Sequence, residues 1–370
     1  MKQVYIIYRT MFDADGNMPV VGGIENYITS LIDELSPDYG MHVVQPAKAE
    51  FNVQLSNCTV HGVITGQYRG NAKKHALAKW VQQHASAEDI VIFATDSYCT
   101  KMNNLTTVAI QHGISWDKPR KQPNRTLQLF NSFTRQLKYL GYVKHAPNLV
   151  CVDHNFVNWY RTWLNAESHK IKVIYNFYQQ RISQHDFEQK WQQLDEINII
   201  IARRFVDYRG IKFIAPIIEQ LCQQSLNINV TFAGEGPLET DLKQRFLSYN
   251  NVNICQYLPN ESYAIHAKQH IAIIPTLGSE GTSLSMIEAM AAGCAVIASN
   301  VGGLSNLIID GYNGRLIMPD AEQMQASITA LVSQPEQAKA LAENGLNSIS
   351  HVCNKAHWGQ QWRDYLQRLN

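Results

Sequence analysis

The chain has 370 residues, which is long for one hydrophobic core and sufficient for two. Its hydrophobic residues make up 45% and its charged residues 17%, the proportions of an ordinary soluble globular protein. The formal net charge is +1, so no overall positive field favours a nucleic-acid partner.

Short strands and helical patterns alternate in the first half of the chain. The N-terminal apolar stretch is too short for a signal peptide and predicts a first strand instead. A helix then follows, with apolar residues at helical spacing: Ile24, Tyr27, Ile28, Leu31, Ile32 and Leu35. The predicted strands of this half are QVYIIY, MHVVQ, DIVIFAT, TTVAIQ and NLVCV.

The same alternation starts again after a polar, glutamine-rich stretch near residues 176–194. The predicted strands here are EINIIIA, INVTFAG, NVNICQ, HIAIIPT, CAVIAS and GRLIM. Several are apolar at consecutive positions, as strands buried on both faces are. This pattern is typical of βαβ units, so we expect an α/β fold with parallel sheets in two Rossmann-like domains. We place these domains at residues 1–176 and 177–352, and expect the last helix, within 353–370, to cross back to the first.

Two glutamates stand eight positions apart in GSEGTSLSMIEAMAAG, residues 278–293, with Glu280 before a predicted helix and Glu288 inside it. A helix N-terminus offers unpaired N–H groups and a partial positive charge, so it favours phosphate. A carboxylate would repel a phosphate, but it accepts hydrogen bonds from vicinal sugar hydroxyls. A nucleotide sugar has such hydroxyls on both sides of its diphosphate, so the two glutamates are consistent with a nucleotide-sugar site. The alternative for this pair is a capping residue and a solvated helix face.

Basic and glycine-rich segments follow the first two strands of the second half. IARRFVDYRG places Arg204 and Arg209 directly after the first of them, where they could neutralise a diphosphate or form surface ion pairs. FAGEGP, residues 232–237, follows the next strand, and its Gly234 and Gly236 allow a close backbone approach. This segment is not G-x-G-x-x-G, which counts against an NAD site.

Taken together, these motifs resemble the donor domain of family 4 (group 1) glycosyltransferases. The resemblance rests on the two glutamates, R-x4-R-G at 204–210, GEGP, EAMAAG and SNVGGLSNLIIDGYNG at 299–314. In the first half, GGIENY at 22–27, QHG at 111–113 and VIYN at 173–176 are similar to the family's glycine loop, histidine-containing strand end and interdomain strand. The order and spacing of the motifs carry the resemblance.

The resemblance implies a GT-B architecture, with two facing Rossmann-like domains and the active site between them, and a retaining sugar transfer without metal or other cofactor. By position it assigns the ribose to Glu288, the transferred sugar to Glu280, and a place near the anomeric carbon to His112. The other residues that it implies for the diphosphate or the donor are Arg204, Arg209, Gly22, Gly23, Gly234, Gly236, Leu258, Thr282, Ser283 and Leu284.

The sequence departs from the family pattern in the donor half. Arg209 stands where lysine is commoner, which keeps the charge on a bulkier, planar donor. Thr282 occupies a position where an aromatic residue or leucine is frequent, and Ser283 one where glycine is frequent. Arg203 beside Arg204 leaves the register open by one residue.

Three features of the first half have simple structural alternatives. His112 could be a buried histidine satisfied by the backbone, and the glycines at 22–23 could form only a tight strand-to-helix turn. DADG at 13–16 invites a D-x-D metal site, but its glycine falls at the fourth place rather than the sixth place of an EF-hand loop. We therefore expect a solvated acidic loop there, and no metal.

Residues 118–144 contain seven Lys or Arg and no Asp or Glu. An apolar stripe at helical spacing runs through them: Leu127, Phe130, Phe133, Leu137 and Leu140. One interpretation is a helix whose stripe faces the core and whose basic face is solvated. The other is a patch that meets an anionic membrane surface, or a lipid-diphosphate acceptor, at the cytoplasmic leaflet. The sequence leaves both interpretations open.

We therefore predict a retaining glycosyltransferase that moves a hexose-type sugar from a nucleoside diphosphate to a saccharide or lipid-linked saccharide, in bacterial-type surface polysaccharide or glycolipid assembly. A sugar-nucleotide epimerase and a non-catalytic nucleotide-sugar-binding protein are the alternatives. The seven cysteines are odd in number and never spaced C-x-x-C, which indicates reduced thiols. No run approaches the roughly 18 apolar residues of a membrane span, so we expect a cytoplasmic or peripheral membrane protein.

Overall fold

The computed structural model describes residues 1–66, 69–119, 124–164, 170–192, 194–224 and 226–369. The chain divides into two compact units. Unit 1 comprises Met1–His112, Gln122–Ile174 and Gly359–Asn370, and unit 2 comprises Gly113–Lys121 and Tyr175–Trp358. The boundary that the sequence predicts after residue 176 therefore lies close to the division after residue 174.

Unit 1 is built on one sheet with helices between its strands. The strands are β1 (Gln3–Ile7), β2 (Gly40–Ala47), β3 (Phe51–Gln54), β4 (Thr59–Ile64), β5 (Ile90–Phe93), β6 (Thr106–Gln111), β7 (Asn148–Cys151) and β8 (Ile171–Val173). The helices are α1 (Gly23–Leu35), α2 (Asn71–His84), α3 (Arg125–Val143) and α4 (His154–Arg161). The strand order across the sheet is β3-β4-β2-β1-β5-β6-β7-β8.

The first helix and the central strands supply the core of unit 1. β5 is buried at every position, as its run of consecutive apolar residues predicts. The predicted apolar stripe lies on α1, where its members from Tyr27 to Leu35 are buried and Ile24 is partly exposed. Both predictions are confirmed.

A hairpin at the edge of unit 1 was not predicted. β3 pairs antiparallel with β4, whereas the other pairs of this sheet are parallel among the residues described. The ring of Phe51 lies over Gly62, where an added Cβ would come within 2.3 Å of it. These strands carry polar residues and a glycine, so their composition indicates a loop, and only pairing with β2 makes them part of the sheet.

Unit 2 repeats the alternation of strands and helices. Its strands are β9 (Ile197–Ala202), β10 (Ile228–Ala233), β11 (Val252–Cys255), β12 (Ile271–Ile274), β13 (Ala295–Ser299) and β14 (Arg315–Ile317). Its helices are α5 (Gln184–Lys190), α6 (Ile211–Gln223), α7 (Glu239–Arg245), α8 (Ser262–Ala267), α9 (Leu284–Ala291), α10 (Ala321–Ser333) and α11 (Pro335–Ser350). Each of the six strands predicted for the second half is present.

The strands of unit 2 follow the order β11-β10-β9-β12-β13-β14, and their pairs are parallel. β12 and β13 are buried at every position, and α6 places Ile214, Ile218 and Leu221 in the same core as Ile199. The order reverses between β9 and β12, as in doubly wound folds. This reversal fixes where a ligand can meet the sheet.

The last helix, α12 (Lys355–Gln367), begins in unit 2 and ends in unit 1. Trp358 packs on Phe177 in unit 2, with ring centroids 4.2 Å apart. Trp362 is fully buried in unit 1, where its Nε1 donates to Tyr27 Oη at 3.0 Å. Across the described parts of the chain, no helix combines the length and apolar character needed to cross a membrane.

Candidate functional site

The candidate site lies at the carboxyl end of the strands of unit 2. The chain leaves β9 into Arg203, and it leaves β12 into residues 275–283, which lead to α9. In open α/β sheets, ligands bind outside the carboxyl ends of the strands where the strand order reverses, here between β9 and β12. The topology therefore brings together segments that lie far apart in the sequence.

A buried carboxylate between two guanidinium groups forms the centre of this site. Glu280 Oε2 accepts hydrogen bonds from Arg203 and Arg209 in two ion pairs, and Thr276 Oγ1 donates to the same oxygen at 2.9 Å. Burial is the largest influence on the pKa of Glu280 and raises it, but the two arginines and Thr276 together hold that pKa below its ordinary value. Glu280 is therefore charged at neutral pH.

The two arginines of this cluster differ in their access to solvent. The Arg203 side chain is 6% exposed, and it donates from Nη1 to Ser283 Oγ at 2.9 Å and from Nη2 to Thr276 Oγ1 at 2.6 Å. The Arg209 side chain is 24% exposed. A ligand can therefore reach Arg209 from solvent, whereas Arg203 fixes Glu280 and the start of α9 from inside.

The structure shows which of the two adjacent arginines pairs with Glu280. The Arg203 backbone N–H donates to Ala233 O and so continues the ladder of β9 towards β10. Because successive side chains of a strand point to opposite sides, Arg203 faces Glu280 and Arg204, the next residue, is exposed. The role that the motif assigns to Arg204, a contact with the diphosphate, stays a prediction.

The start of α9 is held by its own side chains. Ser283 caps the helix, and its Oγ accepts from the Met286 N–H at 3.5 Å. Thr282 Oγ1 accepts from the Asn176 N–H at 3.1 Å, and Asn176 Nδ2 donates to Thr282 O. Leu284 is the first residue of the helix. The N-terminus of α9 can bind a phosphate through its backbone N–H groups and its partial positive charge.

The loop before Glu280 is strained and held in place. Ser279 has φ +60, in the left-handed region that residues other than glycine seldom adopt. Its N–H donates to Asp117 Oδ1 at 2.7 Å, and a Cβ on Gly278 would come within 2.6 Å of Asp117 O. The sequence motifs did not single out Asp117 or Ser279, because 162 positions separate them.

Glu288 has a different environment from Glu280. Its side chain is half-buried, and burial raises its pKa to about 7, against the lowering effect of a hydrogen bond with the Ser262 hydroxyl. Burial and the charge of Glu288 both raise the pKa of Tyr257, which lies close by. Near neutral pH, Glu288 therefore exchanges a proton while Glu280 stays charged.

The other donor-side residues of the motif make local contacts, and their roles towards the donor stay predictions. Gly234 and Gly236 have φ of +150 and +149, and a Cβ on either would lie within 3 Å of the carbonyl oxygens of Arg203 or Phe205. The close approach that they allow is thus to the segment that carries Arg203. Leu258 has an exposed side chain, and its N–H donates to a glutamate carboxylate at 2.7 Å.

In unit 1, His112 follows β6. Its Nε2 lies 2.9 Å from Ala94 O, so this nitrogen carries the proton, because a carbonyl oxygen can only accept. Burial lowers the pKa of His112 to about 4 although the carbonyl raises it, so the ring is neutral at pH 7. Tyr27 meets the ring edge-on, with centroids 5.1 Å apart. The geometry matches a buried histidine satisfied by the backbone, and its catalytic role stays a prediction.

The glycine turn before α1 encloses a buried acid. Gly22 is extended and α1 begins at Gly23. Glu25 folds back over this turn, since a Cβ on Gly22 would come within 2.4 Å of Glu25 Oε2. Tyr8 Oη donates to Glu25 Oε1 at 2.8 Å. The Tyr8–Glu25 pair, which the sequence analysis missed, shapes this turn.

The acidic loop at 13–16 is a turn held by hydrogen bonds and an ion pair. Asp13 Oδ1 accepts from the N–H groups of Asp15 and Asn17, and Asp15 pairs with Lys48 at 3.2 Å. Across the described ranges, no three His, Cys, Asp or Glu side chains are grouped as a metal site requires. Metal independence stays a prediction.

The chain is similar to known glycosyltransferases in sequence. Residues 183–348 match the family model of Glycosyl transferases group 1. An uncharacterized glycosyltransferase of Methanocaldococcus jannaschii is 23% identical over 337 residues, which cover 88% of this chain and 89% of that protein. The matched family segment contains the Arg203–Glu280–Arg209 cluster.

Two solved structures are similar over the whole chain. Sucrose-phosphate synthase from Thermosynechococcus elongatus has a TM-score of 0.77 at 16% identity and covers 100% of this chain and 99% of its own. The Anabaena protein HepE in complex with UDP-glucose has a TM-score of 0.73 at 17% identity and covers 100% of both chains. These two likenesses confirm the predicted α/β fold, which is the fold of GT-B glycosyltransferase structures.

Proposed function

We propose that this protein is a retaining family 4 glycosyltransferase that transfers a hexose-type sugar from a nucleoside diphosphate sugar to an acceptor hydroxyl. The Arg203–Glu280–Arg209 cluster carries the proposal. Two cations and one anion leave this cluster with a net positive charge beside the N-terminus of α9. Both features favour an anionic group such as a diphosphate.

The donor is a nucleoside diphosphate sugar in this proposal. The solved complex of HepE with UDP-glucose supports that ligand class, because its chain aligns with this one over its full length. Arg204 and Arg209 contact the diphosphate from the solvent side, and Arg203 acts as a positioning residue that holds Glu280. Glu280 accepts from hydroxyls of the transferred sugar and Glu288 from the ribose.

The chemistry follows from where charge develops. As the bond to the anomeric carbon breaks, negative charge grows on the leaving diphosphate, and Arg209 with the N–H groups at the start of α9 stabilises it. The acceptor hydroxyl attacks from the face that the phosphate leaves, and a phosphate oxygen takes its proton. His112 is retained in this proposal near the anomeric carbon, as a neutral imidazole. No step requires a metal ion or other cofactor.

The acceptor in this proposal is a saccharide or lipid-linked saccharide of surface polysaccharide or glycolipid assembly, handled in the cytoplasm. The cysteine pattern supports this compartment, since seven cysteines that are never spaced C-x-x-C indicate reduced thiols. Nucleoside diphosphate hexoses are the first donors to test.

A thermal-shift screen with UDP-, GDP- and ADP-linked sugars tests donor binding, because a bound ligand stabilises the folded state by mass action. We expect one nucleotide series to raise the unfolding temperature and the matched free sugars to leave it unchanged. With that donor, product analysis separates three outcomes. Transfer only with acceptor present, with the anomeric configuration kept, supports the proposal; sugar conversion without acceptor indicates an epimerase, and binding without turnover a non-catalytic protein.

A further inference from the structure

One face of α3 exposes a row of large apolar side chains. Leu129, Phe130, Phe133 and Leu137 expose 64%, 63%, 47% and 45% of their surface. Phe130, Phe133 and Leu137 are three and four positions apart, so they share one face of the helix. Within this helix, which is described throughout, Val143 is the one buried side chain. Of the predicted stripe, whose direction the sequence left open, Leu127, Phe130, Phe133 and Leu137 are exposed and Leu140 is half-buried, so the stripe faces mainly outward.

The half-buried residues of α3 include the polar Asn131, Ser132, Arg135 and Gln136, next to this row. Gln136 Oε1 accepts from Trp159 Nε1 of α4 at 2.8 Å, and Gln136 Nε2 donates to Ser132 Oγ at 3.2 Å. A helix on the surface of a globular protein ordinarily packs its apolar side inward, so this orientation is reversed. Trp163 follows α4, is 40% exposed, and lies beside Phe133 with ring centroids 6.0 Å apart. The apolar surface thus extends beyond the helix.

Cations accompany this apolar surface. Arg125, Lys138 and Arg161 are exposed on α3 and α4. Residues 118–144 hold seven Lys or Arg and no acid, although Arg120 and Lys121 lie outside the described residues. An amphipathic helix with aromatic and aliphatic residues on one face and basic residues around it is typical of a protein surface that lies on a membrane. Its charge complements anionic headgroups.

We propose that this lipid-facing patch, formed by Leu129, Phe130, Phe133, Leu137 and Trp163 with Arg125, Lys138 and Arg161, binds the surface of a bilayer that contains anionic phospholipid. The apolar side chains enter the headgroup region and the cations stay beside the phosphates. A second copy of the chain fits less well, because two such patches would bring their cations together. The role of the bilayer as the site of a lipid-linked acceptor rests on the proposed function, but bilayer binding itself does not.

Co-sedimentation with vesicles tests the patch. The full chain is mixed with vesicles of phosphatidylcholine alone, or of phosphatidylcholine with phosphatidylglycerol, at low and high salt. We expect the wild type to sediment with the anionic vesicles at low salt and to be released at high salt, since the Debye length shortens. The variants Phe130→Ser/Phe133→Ser/Leu137→Ser and Lys138→Glu/Arg161→Glu should each lower the partition coefficient about tenfold or more.

Matched controls change exposed residues on other surfaces. Leu247→Ser removes a side chain that is 86% exposed, and Lys79→Glu reverses an exposed charge. Both should bind vesicles as the wild type does. Circular dichroism confirms that each variant is folded.

Three results would overturn the proposal. The wild type could stay in the supernatant, the patch variants could bind vesicles as well as the wild type does, or the control variants could lose as much binding as the patch variants. Sedimentation velocity that shows a wild-type dimer and a monomeric patch variant, without vesicle binding, would assign the patch to a second copy. A thermal shift with UDP on the same variants reports donor binding separately. If UDP does not raise the unfolding temperature of the wild type, this counts against the proposed donor but does not affect the conclusion on vesicle binding.

Discussion

At the candidate site, one carboxylate lies between two guanidinium groups. An unpaired buried charge costs several kcal/mol, so Arg203 and Glu280 each need the other to remain charged in the interior. Arg209, closer to solvent, adds a positive charge that Glu280 does not cancel. The cluster is therefore both a structural ion pair and an attractive place for an anion.

Replacing Arg209 with alanine tests the part of the cluster that ligands can reach. We expect Arg209→Ala to lower turnover by about 10² or more, as losing a charged donor to the transition state does. Its thermal unfolding midpoint should stay close to that of the wild type, because the side chain is partly exposed. Steady-state kinetics measure this, with Arg181→Ala, at an exposed position outside the site, as the matched control. Equal losses in both variants would contradict the assignment of the diphosphate to Arg209.

Replacing Glu280 with glutamine should damage the fold as well as the activity. Glu280→Gln leaves Arg203 buried without its carboxylate, so we expect the free energy of unfolding to fall by about 3 kcal/mol or more. Urea unfolding followed by tryptophan fluorescence measures the change. Glu288→Gln, on the same segment but half-buried, is the control and should cost less. A Glu280→Gln variant as stable as the wild type would mean that the pair contributes little to stability.

Neighbouring strands of unit 1 carry a row of stacked histidines. His42 on β2 and His61 on β4 lie with their ring nitrogens 3.0 Å apart, and Tyr5 on β1 stacks on His42 with ring centroids 4.8 Å apart. Burial is the main cause that lowers the pKa of His61 to about 4, and the charges of His42 and His84 add to it. Burial also lowers the pKa of His42, although Asp89 opposes the shift.

This row predicts a loss of stability in mild acid. The pKa of His61 is lower in the folded chain than its ordinary 6.5, so the unfolded chain binds the proton first. The stability present above pH 6.5 is therefore lost as the pH falls towards 4. Because both rings are partly exposed, we expect this contribution to be only about 1 kcal/mol after solvent screening.

Thermal unfolding between pH 7 and pH 4.5 measures this effect. His61→Gln should flatten the dependence of the midpoint on pH, whereas His185→Gln, at an exposed position, should leave it unchanged. Identical pH profiles for His61→Gln and the wild type would show that this row of rings does not couple protonation to folding.

Across the whole molecule, the chain passes between the units at 112/113, 121/122, 174/175 and 358/359. Each unit has its own sheet, but unit 1 is completed only by the end of the chain, where Trp362 enters its core and Arg363 pairs with Glu34 at 2.8 Å. The net charge of +1 conceals an uneven distribution, because residues 118–144 carry cations alone. Composition averages therefore say little about individual surfaces.

Metal independence is a property of the whole enzyme and can be tested on it directly. The proposed chemistry stabilises the leaving diphosphate with Arg209 and the start of α9, so we expect transfer activity to survive exhaustive treatment with EDTA. Steady-state rates before and after chelation measure this, with a metal-dependent glycosyltransferase as the control. Loss of activity that Mn²⁺ or Mg²⁺ restores would reopen a metal role for the acidic loop at 13–16.

The sequence by itself determined the fold class and singled out several residues that the structure brings together. Continuous apolar runs identify the six strands of unit 2, because a strand buried on both faces has no polar side to display. Arg209 and Glu280, which follow predicted strands, were predicted to lie at one site, because the carboxyl ends of parallel strands meet at one edge of a sheet. The histidine row and the hairpin of β3 and β4 gave no such signal, since their residues are polar and become neighbours only by strand pairing.

Only the tertiary structure decided between alternative interpretations that the spacing of residues in the sequence could not distinguish. Arg203, not Arg204, pairs with Glu280, because the ladder of β9 sets which side of the strand each residue faces. Phe130 and Phe133 face outward, because a periodic stripe shows that a helix has two faces but not which one the rest of the protein covers. Asp117 holds the loop before Glu280 from a segment far away in the chain. Each depends on which segments the fold brings together.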